Sequence, residues 1–235
     1  MPTCTDRHDR ITYSGDACPM CRERAARATL DGWTALRDFR AALAAGDSDD
    51  EPITLAVIIP AVGRGVVAAL GSLEWQVEPA DDVVVVRGQK GGAWNKGQVI
   101  NEGIRRAKDT THVLLLDADI ALHPGALARI RVWLQSHGSV AISPLDVDPR
   151  VGWTAADFDL AALLGAVRGP DQVGGCVAYP REWLVRSGGM DEGYPGKGYH
   201  DLDLWRRAER DLGPGLLVPA SERLALHQRH PVTVD

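Results

Sequence analysis

The spacing of hydrophobic positions changes near residue 53 and divides the chain into two parts. Upstream, residues 23–52 begin with a stretch rich in Ala, Arg and Leu whose apolar positions are three to four residues apart, which predicts a helix with one apolar face. The same segment ends in the acidic sequence GDSDDEP, which offers nothing apolar to bury and is typical of a linker. Residues 53–235 therefore form the main domain, with residues 1–22 as a separate small module.

Within the main domain, short apolar runs alternate with amphipathic stretches. The runs ITLAVIIP, DVVVV, THVLLLDAD and VAISP are typical of strands covered on both faces. Helices are predicted between them, at 65–75, 95–108 and 124–138. This alternation predicts an α/β fold with a mostly parallel sheet flanked by helices. Such sheets bind ligands at the carboxyl ends of their strands, which directs attention to residues 60–64, 87–96 and 117–119.

Composition excludes some functions. The chain has 235 residues with 45% hydrophobic and 25% charged, as in ordinary globular proteins. The net charge of −6 is evenly spread and leaves no basic patch for nucleic acid. The beginning of the chain is polar, and no run approaches the roughly 18 apolar residues of a membrane span, so we expect a cytoplasmic protein.

The small N-terminal module contains four candidate metal ligands: Cys4, His8, Cys18 and Cys21. The Cys-x2-Cys pair suits a tetrahedral Zn²⁺ ion, which would supply the folding energy that so short a segment lacks. The alternative is a set of free thiols at the terminus. Cys176 is isolated and is expected to be a small buried residue.

Asp117 and Asp119 follow the apolar strand THVLLL directly. Two carboxylates at such a strand end repel each other and need a cation or hydrogen-bond donors. Oxygen ligands suit Mg²⁺ or Mn²⁺, with phosphate oxygens completing the coordination. The alternative is a pair of solvated carboxylates that cap the next helix.

Two further segments carry candidate chemistry. His200, Asp201 and Asp203 begin a helix after a glycine-rich loop, so Asp201 is either a helix cap or a general base beside the substrate. His227 follows an apolar stretch near the end of the chain and is either structural or a metal ligand. An imidazole ligand would favour Mn²⁺ over Mg²⁺.

Several of these segments together resemble the GT-A glycosyltransferases, especially the β-1,4-galactosyltransferase-like and family 2-like groups. Trp94-Asn95-Lys96, Asn101, Gly103 and Asp117-Ala118-Asp119 match the family's Phe-Asn-Arg, Asn-x-Gly and Asp-x-Asp motifs in order. AVIIPAVGR is similar to its first strand and nucleotide loop, and the segment from Gly174-Gly175 to HDLDLWRR is similar to its acceptor region. The resemblance covers roughly residues 53–232.

The resemblance implies a role for each matching residue. Asp119 and His227 would bind Mn²⁺ or Mg²⁺, and Asp117 would contact the ribose or the metal shell. Asp201 would be the base that deprotonates the acceptor, with inversion at the anomeric carbon. A nucleotide sugar, expected to be a UDP-sugar, would be held by the remaining residues, which are Pro60, Arg64, Asn95, Lys96, Gly175 and His200. The acceptor is not implied.

The sequence also departs from the family pattern. His200 stands where the family has Glu, the aromatic loop is replaced by residues 194–199, and Ala61 and Val62 occupy a polar or aromatic part of the nucleotide loop. Two alternatives therefore stay open. One is a nucleotidyltransferase, for which PAVGRG would be a poor version of the usual glycine-rich basic loop. The other is a non-catalytic adaptor that binds nucleotide.

Overall fold

The computed structural model describes residues 52–61, 65–88, 95–107, 109–147, 158, 161–162, 165–167, 171–194 and 199–228. The predicted zinc module, with Cys4, His8, Cys18 and Cys21, lies outside the described residues. So do the predicted helix and linker up to residue 51, and Arg64 of the nucleotide loop. These three predictions stay predictions.

The strands form a six-stranded sheet and a three-stranded sheet. The larger sheet has the order β2-β1-β3-β7-β5-β8, and β7 runs antiparallel to both of its neighbours while the other strands are parallel to one another. The smaller sheet has the order β4-β9-β6. The predicted mostly parallel sheet is confirmed, with one antiparallel strand inside it. The strand bounds are β1 Leu55–Ala61, β2 Asp82–Arg87, β3 His112–Leu116, β4 Ile120–Leu122, β5 Val140–Ile142, β6 Leu145–Val147, β7 Cys176–Pro180, β8 Leu216–Val218 and β9 Ala225–Gln228.

Helices cover both faces of the large sheet. Their bounds are α1 Val67–Glu74, α2 Lys96–Arg106, α3 Ala126–Leu134, α4 Arg181–Arg186 and α5 His200–Leu212. The helices predicted at 65–75, 95–108 and 124–138 are confirmed with shorter ends. None of the helices in the described part of the chain is long and apolar enough to cross a membrane.

The continuous apolar run of β1 is explained by two cores, one on each face of the sheet. Leu55, Val57 and Ile59 pack with α1 and α3, whereas Ala56 and Ile58 pack with α2, α4 and α5. Successive strand residues point to opposite faces, so a strand covered on both sides must be apolar at every position. The sheet is therefore the middle layer of three, and ligands must approach its edges or strand ends.

Two partly buried histidines, His112 and His123, have lowered pKa values, and from this we predict that the folded protein loses stability in acid. Burial lowers the pKa of His112 to about 4, and burial together with Arg129 lowers the pKa of His123 to about 4. His123 also uses Nδ1 to accept a hydrogen bond from the Gly125 N–H at 3.0 Å, which requires an unprotonated nitrogen. Unfolded histidine has a pKa of about 6.5, so below that pH the unfolded chain binds protons that the folded chain does not.

We therefore expect the free energy of unfolding to fall as the pH is lowered from about 6.5 towards 5. Urea unfolding at pH 7.5, 6.5, 6 and 5 measures this slope. The double variant His112→Gln/His123→Gln is expected to show a shallower slope over the same window. An unchanged slope in that variant would contradict the assignment.

Candidate active site

An open pocket of about 600 Å³ lies beyond the carboxyl ends of β3, β5 and β8 and is also lined by residues of the small sheet. Its walls include Asp117 after β3, Gly175 before β7, Asp201 on α5 and His227 on β9. Residues predicted from distant parts of the sequence are thus brought to one cavity. Asp146 of β6 lines the same pocket and was not among the predicted site residues.

The first part of the site is a network of two ion pairs, in which Lys96, the first residue of α2, contacts both Asp117 and Asp201. The Lys96 Nζ lies 3.0 Å from Asp117 Oδ1 and 3.0 Å from Asp201 Oδ2. Burial opposes the charge on Lys96, but Asp117 and Asp201 outweigh burial and raise its pKa above the ordinary value. Burial raises the pKa of Asp117, while Lys96 acts in the opposite direction. The ammonium group therefore keeps together two facing carboxylates that line the pocket.

Gly175 holds the backbone of Asp117 in place and leaves room for its carboxylate. Its carbonyl accepts a hydrogen bond from the Asp117 N–H at 2.7 Å, and its φ of +73° is a conformation that favours glycine. A Cβ at this position would lie 2.6 Å from Ile120 Cδ1 and 3.2 Å from Asp117 Oδ2. A larger residue would therefore push the Ile120 side chain aside and crowd the Asp117 carboxylate that faces Lys96.

The second part of the site is a line of three side chains, Asp119, His227 and Asp146, of which the last two line the pocket in the described part of the chain. His227 Nε2 lies 3.7 Å from Asp119 Oδ2, and His227 Nδ1 lies 2.8 Å from Asp146 Oδ1. The nearby Asp119 carboxylate raises the pKa of His227; burial acts against this, and Asp146 adds to the increase. The structure thus places Asp119 and His227, predicted from positions more than a hundred residues apart, next to each other.

The geometry of this pair fits a shared divalent cation. Oxygen ligands lie about 2.0–2.1 Å from Mg²⁺, so two ligating atoms of one ion are separated by at most about 4.2 Å. The Asp119 to His227 separation of 3.7 Å falls within that limit. Among the described residues, no group of three or more His, Cys, Asp or Glu side chains is arranged to hold a metal. Such ions are commonly held by one or two protein ligands together with substrate phosphates and water.

The remaining predicted donor residues have mainly structural contacts. The Asn95 side chain caps α2 by accepting from the Gln98 N–H at 3.0 Å, and it donates to the Glu192 carbonyl at 2.7 Å. His200 is only 3% exposed and packs against the Tyr194 ring, and Pro60 is buried at the end of β1. Within the described part of the chain, the pocket lining includes none of Pro60, Asn95 and His200.

Two features of the site were missed from the sequence. Asp146 is part of an Asp-x-Asp pattern, but the pattern recurs several times in this Asp-rich chain and gave no reason to choose it. Lys96 was predicted to contact the donor, which stays a prediction; its bond to the predicted base Asp201, 105 residues away, was not foreseen. A spacing of that size leaves no local signal, so only the fold reveals the contact.

Comparisons with known proteins identify the family and the fold. Residues 61–230 match a family model described as glycosyltransferase-like family 2. No curated protein sequence matches the chain.

Solved structures share the fold at low sequence identity. The catalytic domain of Drosophila β1,4-galactosyltransferase 7 with xylobiose has 17% identity and a TM-score of 0.50, covering 76% of this chain and 71% of that one. Residues 1–349 of S. aureus TarS with UDP-GlcNAc have 13% identity and a TM-score of 0.56, covering 76% of this chain and 59% of that one. The Pyrobaculum calidifontis mannosyltransferase PcManGT with GDP-Man and Mn²⁺ has 16% identity and a TM-score of 0.54, covering 90% and 70%.

Proposed function

Because the chain belongs to glycosyltransferase-like family 2 and is therefore an enzyme that transfers sugar, we propose a metal-dependent reaction with a nucleotide diphosphate sugar. The donor is a UDP-sugar and the acceptor is a hydroxyl group. The observation that carries this proposal is the 3.7 Å separation of Asp119 and His227 beside a pocket that Asp201 also lines. The PcManGT complex with GDP-Man and Mn²⁺ and the TarS complex with UDP-GlcNAc support it by showing such ligands on the same fold.

In this proposal, Asp119 and His227 hold Mn²⁺ or Mg²⁺. The mixed oxygen and nitrogen pair favours Mn²⁺ over Mg²⁺. A bound divalent ion would neutralise the negative charge that develops on the departing diphosphate. Asp117 and Gly175 are adjacent in the pocket lining and would border the donor. Pro60, Arg64, Asn95, Lys96 and His200 remain proposed donor residues on the basis of the sequence resemblance. The zinc site of the N-terminal module remains a separate proposal that rests on the spacing of its Cys and His residues.

Asp201 acts as the general base. Its carboxylate lines the pocket and is held in place by the Lys96 ammonium, whose Nζ lies 3.0 Å away. The acceptor hydroxyl gives its proton to Asp201 while its oxygen bonds to the anomeric carbon of the sugar. The bond from that carbon to the diphosphate oxygen breaks on the opposite side. Attack from the opposite face inverts the configuration of the sugar.

The experiment that tests this function is release of nucleoside diphosphate from a panel of UDP- and GDP-sugars, with Mn²⁺ or with EDTA. We expect release from a UDP-sugar that requires the metal. Release of pyrophosphate would instead identify a nucleotidyltransferase. Tight nucleotide binding without any release would identify a non-catalytic adaptor.

The variant Asp119→Ala is expected to reduce metal-dependent release by roughly 100-fold or more, because the ion loses its carboxylate ligand. Steady-state rates across a Mn²⁺ titration measure the loss. The exposed Glu182, whose carboxylate pairs only with Arg186 on α4 in the described contacts, provides the control Glu182→Gln, which should keep the full rate. Unchanged turnover in Asp119→Ala would refute the metal assignment.

A further inference from the structure

We propose that Asp146 is a positioning residue that sets which ring nitrogen of His227 is presented to the metal side of the pocket. This inference rests on the proposed function for the identity of the ion. The arrangement of Asp146 and His227 itself is independent of any ligand. Neither the sequence resemblance nor the comparisons assign a role to Asp146.

The small sheet aligns the three side chains by strand register. His227 lies on the central strand β9, directly opposite Asp146 of β6 on one side and Ile120 of β4 on the other. Asp119 precedes β4, and its carbonyl accepts a hydrogen bond from the Gln228 N–H at 2.9 Å. Because both neighbours of β9 are fixed by backbone pairing, the imidazole stands between two carboxylates in a set order.

The hydrogen bond on Nδ1 determines what Nε2 can do. A neutral imidazole carries one proton, and a carboxylate can only accept. With Asp146 Oδ1 at 2.8 Å, the proton lies on Nδ1, and the Nε2 lone pair faces Asp119 Oδ2 at 3.7 Å. A metal ligand must present an unprotonated nitrogen, and a hydrogen bond from the other ring nitrogen is the usual device that ensures this.

Burial strengthens the argument for this role. Asp146 is 6% exposed, whereas Asp carboxylates are rarely buried unless they have a partner. A strand residue that only supported the sheet could be apolar, as both of its neighbours on β6, Leu145 and Val147, are. The carboxylate instead lines the pocket together with His227.

The first test measures Mn²⁺ affinity, alone and with UDP, by electron paramagnetic resonance of the free ion. We expect Asp146→Asn to weaken Mn²⁺ binding by about 10- to 100-fold, the usual effect of losing a partner that orients a metal ligand. The matched control is Asp81→Asn. Asp81 accepts hydrogen bonds from the Leu55 N–H and from Arg131. Both bonds lie at the amino end of β1, whereas the pocket lies at the carboxyl ends of the parallel strands. That variant should lose stability and keep its Mn²⁺ affinity within about 2-fold.

The second test needs no variant of Asp146 and no metal. Two-bond ¹H–¹⁵N spectra of the metal-free protein at pH 9, assigned by comparison with His227→Gln, report which ring nitrogen is protonated. We expect the proton on Nδ1. A proton on Nε2 would overturn the inference, as would an Asp146→Asn affinity equal to that of the Asp81→Asn control.

The two tests also separate this inference from the proposed function. If the unchanged protein binds no Mn²⁺ and releases no nucleoside diphosphate, the proposed function fails and the spectra still decide the role of Asp146. If it binds Mn²⁺ and loses binding in His227→Gln but not in Asp146→Asn, the function stands and the inference fails.

Discussion

Replacement of Asp201 by Asn is expected to lower the rate of sugar transfer by about 10³-fold, within the range of 10² to 10⁴ that a general base contributes. Asn has nearly the same shape, so the pocket should remain intact. It cannot accept the proton of an attacking hydroxyl, and it no longer offers a charge to Lys96, whose Nζ lies 3.0 Å from the carboxylate. Nucleoside diphosphate release with water as the acceptor measures the rate, and calorimetry with UDP and Mn²⁺ measures donor-site binding, which should change little.

Asp203→Asn is the matched control for this prediction. Asp203 lies two residues further along α5, and its carboxylate forms an ion pair with Arg207 at 2.9 Å. It lies outside the residues that line the pocket in the described part of the chain. We expect its rate to stay within about 2-fold of the unchanged protein. Equal losses in both variants would mean that the charge of α5, and not a base at position 201, supports turnover.

The layered fold was predictable because its signals are local. The run LAVIIPA is apolar at every position since β1 has a core on each face, and the amphipathic spacing of Ile100 and Ile104 marks the buried side of α2. The antiparallel direction of β7 was not predictable. Strand direction is set by the path of the chain between β6 and β7. The residues Cys176–Pro180 are mostly apolar and buried, as they would be in a parallel strand, so they do not reveal the direction.

Candidate site residues could be predicted from local sequence only where polar side chains directly follow an apolar strand. Asp117 and Asp119 follow β3 directly, so their position could be inferred from the apolar run before them. The resemblance implied that Asp119 lies near His227, but the partners of Asp201 and Asp146 could not be inferred. Lys96 reaches Asp201 across 105 residues and His227 reaches Asp146 across 81, and both contacts exist because separate elements meet at one pocket.

Lys96→Met is expected to destabilise the protein, by about 1–3 kcal/mol at pH 8. Removing one partner of a buried ion pair costs about 3–5 kcal/mol, and we reduce this figure because the Asp117 and Asp201 side chains are 35% and 27% exposed. Without the ammonium, two neighbouring carboxylates face each other, and their repulsion favours a bound proton. The pKa of this pair in the folded variant should therefore lie above that of the unfolded chain.

The pH dependence identifies the cause of that destabilisation. When a carboxyl pKa is higher in the folded state, the folded chain binds more protons, so lowering the pH recovers stability. The difference between Lys96→Met and the unchanged protein should therefore shrink from pH 8 to pH 5, as measured by urea unfolding. Lys96→Arg keeps the positive charge and should show a smaller loss with little dependence on pH. A Lys96→Met deficit that is constant across this range would contradict the role of the Lys96 charge between Asp117 and Asp201.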